Sequence, residues 1–146
     1  MVNGATTLYE NWPIDAKSDI SLNHIMFGEI GAWFYKSLGG IYPDEKQPGF
    51  KNIILKPDFV KGLNSFEASH EGPFGMIVSS WKKIGKRIEY HVVIPPNSSA
   101  ELFLKGDKLF ENGKSLNNSQ GIEVINQVKG IHWLNLKAGS YSFTVK

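Results

Sequence analysis

Residues Phe74–Ile94 read F-G-M-I-V-S-S-W-K-K-I-G-K-R-I-E-Y-H-V-V-I. Two runs rich in β-branched and aromatic residues flank the short basic stretch from Lys82 to Arg87, and Gly85 sits where a tight turn needs a residue free to take a positive φ. That is a hairpin, and Lys82, Lys83, Lys86 and Arg87 are read as its solvated turn. The pattern recurs in both directions. Lys51–Pro57, Ala100–Leu104, Ile122–Val128, Ile131–Leu136 and Tyr141–Val145 are short apolar stretches, each bounded by glycine, proline or asparagine. In Tyr141-Ser142-Phe143-Thr144-Val145 apolar and polar residues alternate strictly, so one face is buried and the other wet. Short strands at regular spacing, with turn signals between them, predict an antiparallel β-sandwich.

Upstream the periodicity changes. Met26, Ile30, Trp33, Phe34 and Leu38 recur three or four residues apart and predict a helix over 25–38 with one apolar side. Asn23 or Ser21 is placed to cap its start, and Gly39-Gly40 to end it. Gly28 and Gly31 are costly inside a helix, which points to close packing against another helix. The stretch Y-P-D-E-K-Q-P-G-F at 42–50 reads as a linker. The expected organisation is a helical segment over 1–46 followed by the sandwich over 47–146. The apolar stripe of the helix is expected to be covered by the sandwich or by a second copy in a homodimer, since large apolar patches are seldom left open.

Composition narrows the function. The chain has 146 residues, 41% hydrophobic and 21% charged, which suits one buried core. A formal charge of +2 is too small to mark a nucleic-acid partner, and no apolar run is long enough for a membrane helix. There is no cysteine, and His24, His70, His91 and His132 have no chelating spacing, so neither a disulfide framework nor a metal centre is read, and no cofactor is expected. His91 and His132 are expected as half-exposed strand residues, and His70 in a structural role. No phosphate-cradling loop or nucleophilic serine elbow is present.

The one constellation with chemical content lies at the N-terminal end. G-A-T-T-L-Y-E-N-W over 4–12 and S-L-N-H over 21–24 bring a carboxylate, Glu10, and an imidazole, His24, among Tyr9, Trp12 and Phe27. Aromatic faces for a ring, a carboxylate to move a proton and polar groups for hydroxyls are the parts of a sugar-binding catalytic pocket. Read as ordinary residues, Glu10 is a solvated glutamate and His24 a locally satisfied helix-start residue.

These two segments, followed by I-M-F-G-E-I-G-A-W-F-Y-K-S-L-G-G-I, P-G-F-K-N-I-I-L-K-P, S-H-E-G-P-F-G-M-I-V-S-S-W and Y-H-V-V-I-P-P-N-S-S-A, resemble in order the C-terminal part of bacterial α-L-rhamnosidases, glycoside hydrolase family 78. Tyr9 stands where that family usually has tryptophan, and the loop between Trp12 and Asn23 is shorter. The resemblance implies the last helices of an (α/α)6 barrel, then a C-terminal sandwich of jelly-roll type. It implies Glu10 as general base of an inverting mechanism, Tyr9, Trp12, Asn23 and His24 around an L-rhamnose-containing glycan, and a general acid upstream of this chain. A fragment of this kind is expected to be inactive, and its parent periplasmic or secreted. Met1-Val2-Asn3 leads straight into the first motif without a signal segment, which fits a piece of a longer protein. The rival reading is a carbohydrate-binding or purely structural sandwich module, using aromatics such as Trp81, Trp133 or Phe74 as sugar platforms; Trp81 and Trp133 are expected in the core instead.

Overall fold

The computed structural model describes residues 7, 9, 10, 21–116, 119–128 and 130–146, without the side chains of 26 and 27. It divides into two compact units, Met1–Trp33 and Phe34–Lys146.

In the first unit a 3-10 turn, Ile25–Gly28, leads into a short α-helix, α1, Glu29–Trp33. The second unit opens with a π-type turn, Phe34–Leu38. The helical stretch expected over 25–38 is thus present, with turns of three kinds in succession. A Cβ added at Gly28 or Gly31 would meet nothing within 4 Å among the described residues. Ile25 is 85% exposed and Ile30 60%, so the apolar stripe is present and largely open.

The sandwich pairs β1 (Ile41–Pro43), β2 (Asn52–Leu55), β6 (Ser99–Lys105), β10 (Ile131–Leu136) and β9 (Ile122–Val128) in a five-stranded sheet. Its six-stranded counterpart has the order β3 (Ser65–Gly72), β4 (Gly75–Ile84), β5 (Arg87–Ile94), β11 (Gly139–Val145), β7 (Leu109–Glu111), β8 (Lys114–Ser115). All neighbours are antiparallel except β2 and β6, which run parallel, Asn52 beside Ser99. The β4–β5 hairpin closes at Ile84↔Arg87 around Gly85-Lys86, with Gly85 at φ 60°, the glycine-first pattern of a two-residue turn. The linker-like stretch is ordered: β1 lies in it, Asp44 bridges to Gln47, and the Asp44 carboxylate accepts hydrogen bonds from Lys46 N and Asn52 Nδ2. Those hydrogen bonds, the Asn52 one foremost, hold the Asp44 carboxyl below its ordinary range.

Alternate residues of both sheets face inward and make the core. Ile53, Leu55, Leu102, Leu104, Leu134 and Leu136 come from one sheet and Ile77, Trp81, Tyr90, Val92, Ile94 and Phe143 from the other, all essentially without solvent contact. Trp81 is in this core as expected, but two neighbours of the same sequence pattern are not where the pattern put them. His132 is 97% buried, its Nε2 3.0 Å from the carbonyl of Gly106, rather than half-exposed. Trp133 points to the outer face instead of the core, because β10 alternates and His132, Leu134 and Leu136 occupy its inner side. Gly40, at φ 70°, ends the π-type turn; a Cβ there would lie 2.2 Å from the backbone nitrogen of Pro57, so only glycine lets the chain pass.

A polar thread runs through this core. Ser79 Oγ donates to the carbonyl of Gly39 at 2.5 Å and sits 3.0 Å from the Tyr90 hydroxyl, which is left to donate to it. Burial pushes the Tyr90 phenol far up from its ordinary value of 10.0. In the unfolded chain that phenol ionises near its ordinary value, whereas in the fold it keeps its proton. Its contribution is thus complete below that pH and lost as pH rises beyond it. Tyr90→Phe is expected to cost about 1 kcal/mol at neutral pH through the lost hydrogen bond. It should also flatten the alkaline fall in stability, though not abolish it, because Tyr141 is pushed up too, by burial and then by Glu111. Urea unfolding of both proteins at neutral pH and above pH 10 reads the two effects; parallel pH dependences would contradict this account.

Candidate functional site

The N-terminal constellation is assembled from two short segments of the first unit. Glu10 N donates to the carbonyl of Ser21 at 2.9 Å, and Ser21 N donates back to Glu10 Oε2 at 3.1 Å. The hydroxyl of Thr7 is hydrogen-bonded to the carbonyl of Leu22. These bonds join Thr7 and Glu10 to Ser21 and Leu22, and a backbone N–H holds the carboxylate. His24 Nδ1 then lies 3.8 Å from Glu10 Oε2, too long for a hydrogen bond but within ion-pair reach. Both side chains are open to solvent, 28% for His24 and 43% for Glu10.

Two of the three partners expected around this pair are described: Tyr9 is half-buried and Asn23 exposed, with Asn23 N donating to Ser21 Oγ at 3.3 Å. Ser21 therefore organises the turn before His24, a local role similar to the cap expected of it or of Asn23. Trp12 and the side chain of Phe27 lie outside the described residues. What the arrangement offers chemically is an accessible carboxylate, oriented by a backbone N–H, beside an imidazole that can donate to or accept from a hydroxyl. Glu29, the next acid along, is on α1 and exposed.

Two surface hollows lie on the sandwich among the described residues. The larger, about 790 Å³, lies on the outer face of the six-stranded sheet, where Glu67, Ser80, His91 and Ser142 align across four strands and His91 Nδ1 is 3.3 Å from Ser142 Oγ. The smaller, about 540 Å³, lies on the outer face of the five-stranded sheet between Gln47–Asn52, Glu123 and Lys137. Neither is lined by Glu10 or His24. Among the described residues no three histidine, aspartate or glutamate side chains come together to hold a metal ion, and no helix is long and apolar enough to cross a membrane. His70, from its edge strand, packs its ring on Phe50, centroids 4.5 Å apart.

The fold class is a β-sandwich preceded along the chain by a short helical stretch, with Glu10 and His24 brought close together just ahead of that stretch. Family models agree on both parts. Residues 40–117 match the bacterial alpha-L-rhamnosidase C-terminal domain, and residues 1–38 match the bacterial alpha-L-rhamnosidase six-hairpin glycosidase domain. The chain belongs to the bacterial α-L-rhamnosidase family. It is 31% identical to an α-L-rhamnosidase of Formosa agariphila over 98% of its own length, and 32% identical to one of Alteromonas sp. strain LOR over 97%. It spans only 16% and 15% of those two relatives. The α-L-rhamnosidase structure from Dictyoglumus thermophilum superposes with a TM-score of 0.81 at 27% identity, covering 99% of this chain and 16% of that one. The Streptomyces avermitilis enzyme, solved with L-rhamnose, superposes at 0.77 and 22% identity over 99% of this chain and 14% of its own, a likeness of fold.

Proposed function

We propose that this chain is the C-terminal part of an α-L-rhamnosidase, and that residues up to about 46 complete a barrel whose pocket takes terminal α-L-rhamnose of a glycan. The observation that carries the reading is the Glu10 carboxylate, held by the Ser21 N–H 3.8 Å from His24, inside the segment that matches the glycosidase domain. In this reading Glu10 is the general base: it takes a proton from the water that attacks the anomeric carbon from the face opposite the leaving oxygen, so the product is inverted. His24 and Asn23 hydrogen-bond the sugar hydroxyls, and Tyr9 and Trp12 line the apolar side of the ring and its methyl group. The open stripe of Ile25 and Ile30 faces the remainder of that domain.

The acid that protonates the leaving oxygen is contributed by another part of the enzyme. Without it the isolated 146-residue chain forgoes about a hundred- to ten-thousand-fold of acid assistance, along with most of the positioning that the rest of the pocket supplies. The purified chain and its Glu10→Gln variant are therefore both expected to release no phenol from an aryl α-L-rhamnoside above background. Turnover by the wild type that disappears in the variant would mean that a complete site exists within this chain or between copies of it.

A further inference from the structure

Of the aromatics that a sugar-binding sandwich could use, Trp81, Tyr90, Tyr141 and Phe143 are spent on the core. Trp133 is different. It stands on the outer face of the five-stranded sheet, stacked on Phe103 of the next strand with centroids 5.4 Å apart and planes 20° from parallel. Lys56 Nζ lies 4.6 Å from the Phe103 ring centre. Two residues along the same strands, about 7 Å away, comes a polar row: Glu101 beside Asn135, and Asn135 beside Glu123. That row floors the 540 Å³ hollow.

Both walls of the hollow are set by buried polar contacts. On one side Asn52, 93% buried, receives Ser99 Oγ–H at 2.8 Å and donates to Asp44 at 3.0 Å, which ties the Asp44–Gln47 turn down over the sheet. On the other, the Tyr141 hydroxyl sits 3.0 Å from the carbonyl of Lys137 and 3.2 Å from that of Gly121, and Lys137 N donates to the same Gly121 carbonyl at 2.9 Å. Gly121 has φ 80°, and a Cβ there would stand 2.5 Å from the Tyr141 oxygen, so this rim is built around a glycine. Such walls are organised before anything binds, which lowers the cost of ordering them around a ligand.

We propose that this hollow is a second carbohydrate site, taking a neutral oligosaccharide, with one pyranose among Gln47, Glu101, Glu123, Asn135 and Lys137 and the next against the Trp133–Phe103 stack. The ligand class follows from the groups present. Two carboxylates offer acceptors, the Lys137 ammonium offers donors, and the two amides offer both, which is what a ring of hydroxyls needs. Two carboxylates against one ammonium disfavour an anion, and the apolar stack one row on suits a sugar's C–H face. In the larger hollow Trp81, Tyr90 and Phe143 turn their rings into the core, and Phe66 packs partly buried against that core and stacks on Phe34. The site goes beyond the rhamnosidase reading and does not depend on it.

The test is a heteronuclear NMR titration of the full 146-residue chain with maltotriose, β-1,4-galactotriose and methyl α-L-rhamnopyranoside, and with digalacturonate as the anionic control. Shifts of the Glu101, Glu123, Asn135 and Lys137 amides are expected with a neutral trisaccharide, at a dissociation constant of about 1 mM. Digalacturonate should bind more weakly. Asn135→Ala and Gln47→Ala, each checked for an undisturbed spectrum elsewhere, should each weaken binding by about tenfold, and Glu10→Gln should leave it unchanged. Should Asn135→Ala disturb the fold, Gln47→Ala alone decides. No shift with any neutral sugar, equal binding of digalacturonate, insensitivity to the folded variants, or shifts confined to residues 7–24 would each overturn the proposal. The first three of those results would leave the reading of Glu10 as it stands.

Discussion

On the general-base reading of Glu10, replacing the residue aligned with it by glutamine in the Formosa agariphila α-L-rhamnosidase that is 31% identical to this chain is expected to lower kcat by about two to four orders of magnitude. KM should change far less, because glutamine keeps the size and the acceptor oxygen that the Ser21 N–H holds in this chain. What the substitution removes is the ability to take a proton from water, and that is needed only as the transition state forms. The relative supplies the complete enzyme that this chain, at 16% of its length, does not. Steady-state kinetics on an aryl α-L-rhamnoside measure the effect directly. A variant within a few-fold of wild type in kcat would remove Glu10 from the chemistry and leave the paired glutamate and histidine as a structural contact.

Trp81→Ala is expected to cost the sandwich about 3–5 kcal/mol, as removal of a large core aromatic does. That is a large share of the 5–15 kcal/mol typical of a whole domain. Trp81 is 2% exposed, Phe59 meets its ring edge-on with centroids 5.6 Å apart, and its Nε1–H donates to the carbonyl of Leu38 at 2.9 Å. The last contact carries a second effect. Leu38 closes the π-type turn that opens the sandwich unit, so the variant should loosen that turn as well as leave a cavity. Trp81→Phe keeps much of the ring but not the donor, and should recover part of the loss. Urea unfolding followed by circular dichroism gives both values. A cost below about 1 kcal/mol for Trp81→Ala would show that the core closes over the gap and that the indole is not the tie between β4 and Leu38.

Much of the sandwich was legible from residue order. Ile122–Val128 and Ile131–Leu136 fall where the apolar runs put them, and the β4–β5 hairpin turns at the glycine that marked it. Strands β1, β3, β7 and β8 were missed, the first two for different reasons. Ile41–Pro43 is short and sits among proline and charge that read as linker. Ser65–Gly72 alternates, but with phenylalanine, alanine and histidine among serines and glutamates, a composition with no β-branched residue to signal a strand. The helical stretch expected over 25–38 is present, but periodicity reports only which side is apolar. It does not report whether each turn closes over three, four or five residues. At Phe34–Leu38 the turn widens, and the Gly39 N–H reaches the carbonyl of Phe34.

The sequence by itself determined the local choices: strand against turn, the inward and outward residues of Tyr141–Val145, the glycines at tight turns, and the motif that puts a glutamate near a histidine. These depend on neighbours within a few residues, where steric limits and the two-residue alternation of a strand act directly. Tertiary structure alone decided which strands meet. The parallel pairing of β2 with β6, Asn52 buried under a turn that reads as linker, His132 in the core and Trp133 outside it are all such outcomes. Each depends on what the facing sheet already fills, a long-range packing condition that no stretch of residues carries within itself.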